Sequence, residues 1–186
     1  MSAESALKDA EHKMNRAIEV TKEELAGVRT GRASPAILNR VTVDYYGTPT
    51  PMNQLASFSV PEPRLLVIQP FDRNAMPAME KAIMQSDLGL TPSNDGNVIR
   101  LSFPQLTEER RKELIRLVKE RGEEGRVAVR NVRRHIKEEL ERLKKDGEIS
   151  EDELVRSEKE LQTLTDQHVH QIDGLLEHKE KELMEV

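Results

Sequence analysis

The 186-residue sequence contains no cysteine and no tryptophan, and aromatic residues make up only 3% of it. Without cysteine there is no disulfide framework, no thiolate metal site, no iron–sulfur cluster and no thiol nucleophile. With so few aromatics and 34% charged residues against 36% hydrophobic ones, a thick globular core is disfavoured, and elongated helices with narrow apolar seams fit better. No run approaches the ~20 apolar residues that span a bilayer. The N-terminal "MSAESALKDAEHKM" lacks the basic start and apolar stretch of a secretion signal. The chain reads as cytoplasmic, without a membrane partner.

What is present is charge, unevenly placed. The formal net charge is -5, yet residues 110–145 hold 14 Lys and Arg against 7 Asp and Glu, and residues 146–186 hold 4 against 13. A basic arm is followed by an acidic one. Both carry helical periodicity. Residues 1–30 place Leu7, Ala10, Met14, Ala17, Thr21, Leu25 and Val28 at steps of three and four. Residues 106–145 continue the pattern with Leu114, Val118, Val129, Val132, Ile136, Leu140 and Leu143, opened by Thr107 as N-cap with Arg110 at the third helical position. A third run, from about Ser150 to Met184, uses Leu154, Leu161, Leu164, Ile172, Leu175 and Leu183. None of the three helices can bury its stripe alone, so they are expected to bundle.

Residues 31–104 have another texture. They hold all nine prolines, all three Phe and both Tyr, with 6 Lys and Arg balanced by 6 Asp and Glu. "RVTVDYY", "ASFSV" and "RLLVIQPF" read as strands, "NAMPAMEKAIMQSD" as a helix and "NVIRLSF" as a returning strand. "YYGTPTP", "SVPEP" and "DLGLTPSNDGN" read as turns. The expected class is α+β: an elongated antiparallel three-helix bundle from residues 1–30 and 105–186, with a small β/α/β domain, 31–104, inserted. The crossings "RTGRASP" and "FPQL" contain Gly31 and Pro104, which helices accommodate poorly. A hinge is expected there.

The strongest local signal is "RVAVRNVRR". Arg126, Arg130, Arg133 and Lys137 follow steps of four, three and four, so they share one helical stripe beside the Val129, Val132, Ile136 seam, with Arg134 next to it. Two uses fit such a stripe. It could pair with acids of the third helix, as flanking positions of coiled coils do, giving an adaptor that binds a partner helix. It could instead track phosphates, since guanidinium forks match phosphate oxygens. Four arginines in nine residues favour the second use, because lysine would serve mere solubility equally well.

Other motifs dissolve on inspection. Aligning Gly147 as the sixth position of a calcium loop puts Arg142 and Lys144 where carboxylates are needed. The alternative is a helix-ending Gly147 followed by a Ser150/Glu153 capping box. His168 and His170, two apart, face nearly opposite sides of a helix, and only His168 falls near the seam. No phosphate loop, nucleophile–base pair or carboxylate pair stands out, so neither an enzyme nor a cofactor or metal site is expected.

"VRTGRASP", "VDYYGTPTP", "EKAI", "SDLGL", "LTEERRKEL", "RVAVRNVRR" and "DGEISEDE", in this order and spacing over the whole length, resemble the bacterial ribosome recycling factor family. The resemblance implies an L-shaped monomer that binds the large ribosomal subunit of the post-termination ribosome. With the GTPase elongation factor G it would split the subunits, releasing mRNA and tRNA. It implies rRNA contacts at Arg130 and Arg133, with Arg110, Arg29 and Arg32 as further candidates. It also implies hinges at Arg29, Thr30, Gly31, Pro104 and Gln105, and a small domain that meets the GTPase. The chain departs from the family pattern at Gly125, where Ala is common, and Gly122 lies one turn earlier. At about 1 kcal/mol per interior glycine, the departure puts the local stiffness of the helix beneath the arginines in question and leaves the RNA contacts in place.

Overall fold

The computed structural model describes residues 2–185, which divide into two compact units: the N-terminal segment up to Arg29 together with Glu108–Glu185, and Thr30–Thr107.

The first unit is a three-helix bundle of α1 (Ala3–Ala26), α3 (Glu108–Lys145) and α4 (Glu151–Glu185), the label α2 belonging to the helix of the second unit (Met76–Gln85). Ser2 caps α1 through a reciprocal box with Ser5. The long helices α3 and α4 join through a tight reversal. Gly147 takes φ 76°, Glu148 N–H reaches back to Leu143 O at 2.9 Å, and Ser150 Oγ accepts from Glu153 N–H at 3.1 Å. The positive φ is what glycine supplies there. Lys144 and Glu151 form an ion pair across the turn. α4 therefore runs antiparallel to α3, and α1 lies parallel to α4, with Asn15 beside His168.

Burial follows the predicted stripes with a drift. Ile18 is buried where Ala17 was expected, and Thr165 and Leu176 where Leu164 and Leu175 were; those three and Val132 are half-buried. A strict seven-residue reading slips by ~20° per heptad against 3.6 residues per turn, so by the third heptad the neighbouring residue faces inward. The seam also takes polar groups. Thr21 and Thr165 hydroxyls donate to Ala17 O and Leu161 O, both at 2.8 Å, and His168 Nδ1–H donates to Leu164 O at 2.6 Å. His168 Nε2 meets the Asn15 side-chain amide at 2.8 Å. Thr21, Thr165 and His168 are thereby satisfied within a helix or across one interface, which removes most of the desolvation cost.

Gly122 and Gly125, which put the stiffness of α3 in question, are closely packed. Both are buried. A Cβ on Gly122 would overlap both Cδ atoms of Leu176 and stand 2.7 Å from its Cγ. A Cβ on Gly125 would overlap Thr21 Oγ1 and meet Ile172 Cδ1 at 3.2 Å. At these glycines α3 packs closely on Leu176 and Ile172 of α4 and on Thr21 of α1, so the lost helix propensity is exchanged for tight packing.

The second unit is built on an antiparallel sheet of order β3 (Ala56–Glu62), β4 (Leu65–Pro70), β6 (Ile99–Ser102), β5 (Pro92–Asn94), with a separate hairpin of β1 (Thr42–Tyr45) and β2 (Thr48–Pro51). Alternate residues Leu66 and Ile68 of β4 pair with Leu101 and Ile99 of β6 and are fully buried, in one core with Met79 and Ile83 of α2. Three segments read as turns contribute to strands: Thr48–Pro51, Pro92–Asn94 and residues 59–62, which continue β3. The prolines of these strands fit because they lie at edges or ends, and Pro70, in the central strand β4, is its last residue. Pro49 and Pro51 are in a two-stranded ladder, Pro92 opens an edge strand, and Pro61 falls at the register shift of edge strand β3. The β1–β2 turn has φ 49° at Tyr46 and 81° at Gly47, the left-handed pair of a primed hairpin turn.

Both connecting segments are tied to this unit at neighbouring residues. Ala33 N–H donates to Pro63 O at 2.7 Å, and Phe103 N–H donates to Arg64 O at 2.8 Å. Outside these bonds lie Thr30 to Arg32, with Gly31 at φ 77°, and the irregular stretch 104–107.

Candidate anion-binding groove on the helical bundle

Arg126, Arg130, Arg133, Arg134 and Lys137 all lie on α3, but their surroundings differ. Arg126 is 23% exposed and occupied: Nε donates to Asp173 Oδ1 at 2.9 Å, Nη2 to the same oxygen at 2.5 Å, and Nη1 to Glu123 at 3.2 Å. Its guanidinium is held further above its usual range, first by the Asp173 hydrogen bond. This is the flanking-position pairing of a coiled coil. It keeps α3 in register with α4.

One turn on, the environment changes. Arg130 is 50% exposed, with Glu123 Oε1 3.4 Å away, a separation at which an exposed pair contributes little. Arg133 Nη1 donates to neutral Gln162 Oε1 at 3.0 Å. Arg134 and Lys137 are exposed and have no acidic partner among the described residues. These four cations line a groove between α3 and α4 whose far wall includes Lys159 and Gln162, with Val155 exposed at its edge.

The remaining candidates stand apart. Arg110 pairs with Glu113 at 2.8 Å in the first turn of α3, twenty residues or ~30 Å of helix before Arg130. Arg29 ends the first unit and Arg32 is the third residue of the second, both exposed on a connecting segment. Sequence reasoning missed Lys159. The signal was available: folding α3 back on α4 about Gly147 brings residue 137 opposite 159, as Arg133 lies opposite Gln162. His168 is packed between Asn15 and Leu164, and no cluster of three or more metal-ligating side chains occurs among the described residues. No helix among them is long and apolar enough to cross a membrane.

A rigid helical bundle with a basic groove, carrying a small mixed α/β unit, is the layout of a factor that acts by docking. Comparison with known proteins makes the class particular. The ribosome recycling factor family matches residues 21–184. The chain is 60% identical to the ribosome-recycling factor of Saccharopolyspora erythraea over 98% of its own length and 99% of the relative's. It is 58% identical to that of Geobacillus kaustophilus over 99% and 100%. A solution structure of ribosome recycling factor superposes with a TM-score of 0.83 at 50% identity, covering 100% of this chain and 99% of the other. A second match, 47% identical with a TM-score of 0.69 over 98% and 99%, is the T. thermophilus ribosome recycling factor, shown with the E. coli elongation factor G bound to the E. coli post-termination complex. The chain belongs to the ribosome recycling factor family, whose members are translation factors and not enzymes.

Proposed function

We propose that this chain recycles ribosomes by a division of labour between its two units. It binds the post-termination ribosome and, with elongation factor G and GTP, separates the subunits so that mRNA and tRNA are released. The GTPase chemistry is the elongation factor's. The observation that carries the residue-level reading is the groove lined by Arg130, Arg133, Arg134 and Lys137, in which only Arg130 has an acidic partner, the exposed Glu123 at 3.4 Å. Guanidinium forks on a rigid helix can bind successive phosphates of ribosomal RNA on the large subunit without reorganising. Arg126, Arg110, Arg29 and Arg32 are outer contacts in this reading, since the first two already hold carboxylates.

The small unit suits a protein partner. Its charges balance, so it lacks the excess positive charge that a nucleic-acid surface needs. It exposes two of the chain's few aromatics, Tyr46 (76% exposed) and Phe71. The Tyr45 and Tyr46 hydroxyls donate to the same Asp72 oxygen at 3.1 and 3.4 Å, fixing both rings. Ordered, exposed aromatics are typical anchors of protein interfaces, and elongation factor G is the partner they fit. Arg29, Thr30, Gly31, Pro104 and Gln105 form the joint in this reading, which is supported by the change of unit at Arg29/Thr30, the φ of 77° at Gly31 and the irregular backbone of residues 104–107. The site of action is the cytoplasm, where the ribosomes are.

Light scattering from post-termination ribosomes tests this reading. Adding the chain with elongation factor G and GTP lowers the signal as subunits part, and omitting GTP abolishes the drop. Unchanged scattering with all components present would remove the reading.

A further inference from the structure

We propose that the phosphate site is the whole α3–α4 groove, with Lys159 of α4 as its second wall and Val155 as an apolar contact for the ribose or base. The inference rests on the ribosome-binding reading above and adds a residue to it from a helix that is otherwise acidic.

The argument starts from what an antiparallel helix pair normally does with a flanking arginine. At Arg126 it supplies Asp173, and the charges cancel. Three to four turns further along the same interface, α4 places Lys159 and the neutral Gln162 opposite Arg130, Arg133, Arg134 and Lys137. Residues 146–186 hold 13 acids and only 4 cations, so an acid was the default choice at this position. The lone acid lining the groove, Glu158, forms no ion pair with any of the five cations. Only Arg130 among the five has an acidic neighbour, Glu123 at 3.4 Å, so four positive groups converge without a paired acid, an arrangement that self-repulsion disfavours in the free protein. A phosphodiester bridging the two helices supplies the missing charge, and its oxygens can accept from Arg133 on one wall and Lys159 on the other. Val155, 56% exposed in this charged setting, offers the apolar surface that a nucleotide has beyond its phosphate.

Repulsion and binding give the test opposite signs in two assays. Lys159→Glu and Lys159→Ala are compared with wild type and with Arg130→Ala/Arg133→Ala, as full-length chains. Affinity for large ribosomal subunits is measured over a salt series, and thermal midpoint in the absence of ribosomes. The expected result is an affinity loss on the order of tenfold for each Lys159 variant. The log–log salt slope becomes shallower by about 0.7 to 0.9 for the lost phosphate contact. The free Lys159→Glu protein melts at or above the wild-type temperature, because a repulsion has been removed. If both Lys159 variants bind as wild type while the double arginine variant does not, the bridging role is overturned and the ribosome-binding reading stands. If Lys159→Glu weakens binding and melts well below wild type, Lys159 is structural and the proposal also falls. If the arginine variant too binds as wild type, the groove is not the RNA site and both are overturned.

Discussion

Gly125→Ala isolates the packing beneath the arginines. An alanine in an unobstructed helix interior gains about 1 kcal/mol over glycine. Here the added methyl would overlap Thr21 Oγ1, with Thr21 Cγ2 at 3.3 Å and Ile172 Cδ1 at 3.2 Å. Thr21 cannot rotate clear without exchanging one branch for the other, and its hydroxyl is already bonded to Ala17 O. Overpacking of this kind costs about 1–3 kcal/mol, so the net expectation is a loss of about 1 kcal/mol, or about 4 °C in the midpoint of a unit this size. Adding Thr21→Ala removes the overlapping Oγ1 and the Cγ2, leaving only Ile172 Cδ1 at 3.2 Å. The double variant should recover the helix-propensity gain, giving a favourable coupling of about 1–2 kcal/mol in a double-mutant cycle read by thermal circular dichroism. A Gly125→Ala protein about 1 kcal/mol more stable than wild type, with no coupling to Thr21, would refute the close-packing account and restore the view of Gly125 as a soft point.

Two further predictions follow from local geometry. Asp95 Oδ1 accepts from Val98 and Asn97 N–H at 2.9 Å and its Oδ2 from Arg100 at 2.6 Å, which holds its carboxyl well below the ordinary 3.8, chiefly through the Val98 bond. Because the folded value is depressed, the turn's contribution to stability is complete above about pH 4 and is lost as pH falls toward the folded value. The amide resonances of Asn97 and Val98 should titrate well below pH 3.8, and a midpoint at that ordinary value would contradict the turn geometry. Arg126→Ala should reduce ribosome affinity less than Arg133→Ala and destabilise the bundle by under about 1 kcal/mol, because its guanidinium is committed to Asp173 and Glu123. Equal affinity losses for the two would show that the Asp173 pair opens on the ribosome.

The bundle was legible because its signals are local: stripes at steps of three and four, Gly147 at the reversal and Ser150 at the next cap. Where reading by heptad failed, at Ala17, Leu164 and Leu175, the cause was accumulated phase, and buried Thr165 was hidden because its hydroxyl is satisfied by its own helix, whereas His168 was already legible as a seam residue. Strands Thr48–Pro51 and Pro92–Asn94 were invisible because proline looks like punctuation until the edge position that tolerates it is known. The arginine stripe was legible as a stripe, but its division was not. Only the register of α4 against α3 shows that Arg126 meets an aspartate while its successors meet Gln162 and Lys159. The same division argues against a coiled-coil adaptor, since a seam-pairing stripe would find acids along its whole length.

The most direct test of the groove is sedimentation of the chain with post-termination ribosomes across a salt series, comparing wild type with Arg130→Ala/Arg133→Ala. The account predicts steep salt dependence for wild type, a log–log slope shallower by about 1.4 to 1.8 for the double variant, and unchanged helical circular dichroism, because Arg130 and the end of Arg133 lie outside the seam. A double variant that binds as tightly as wild type at every salt concentration would contradict it.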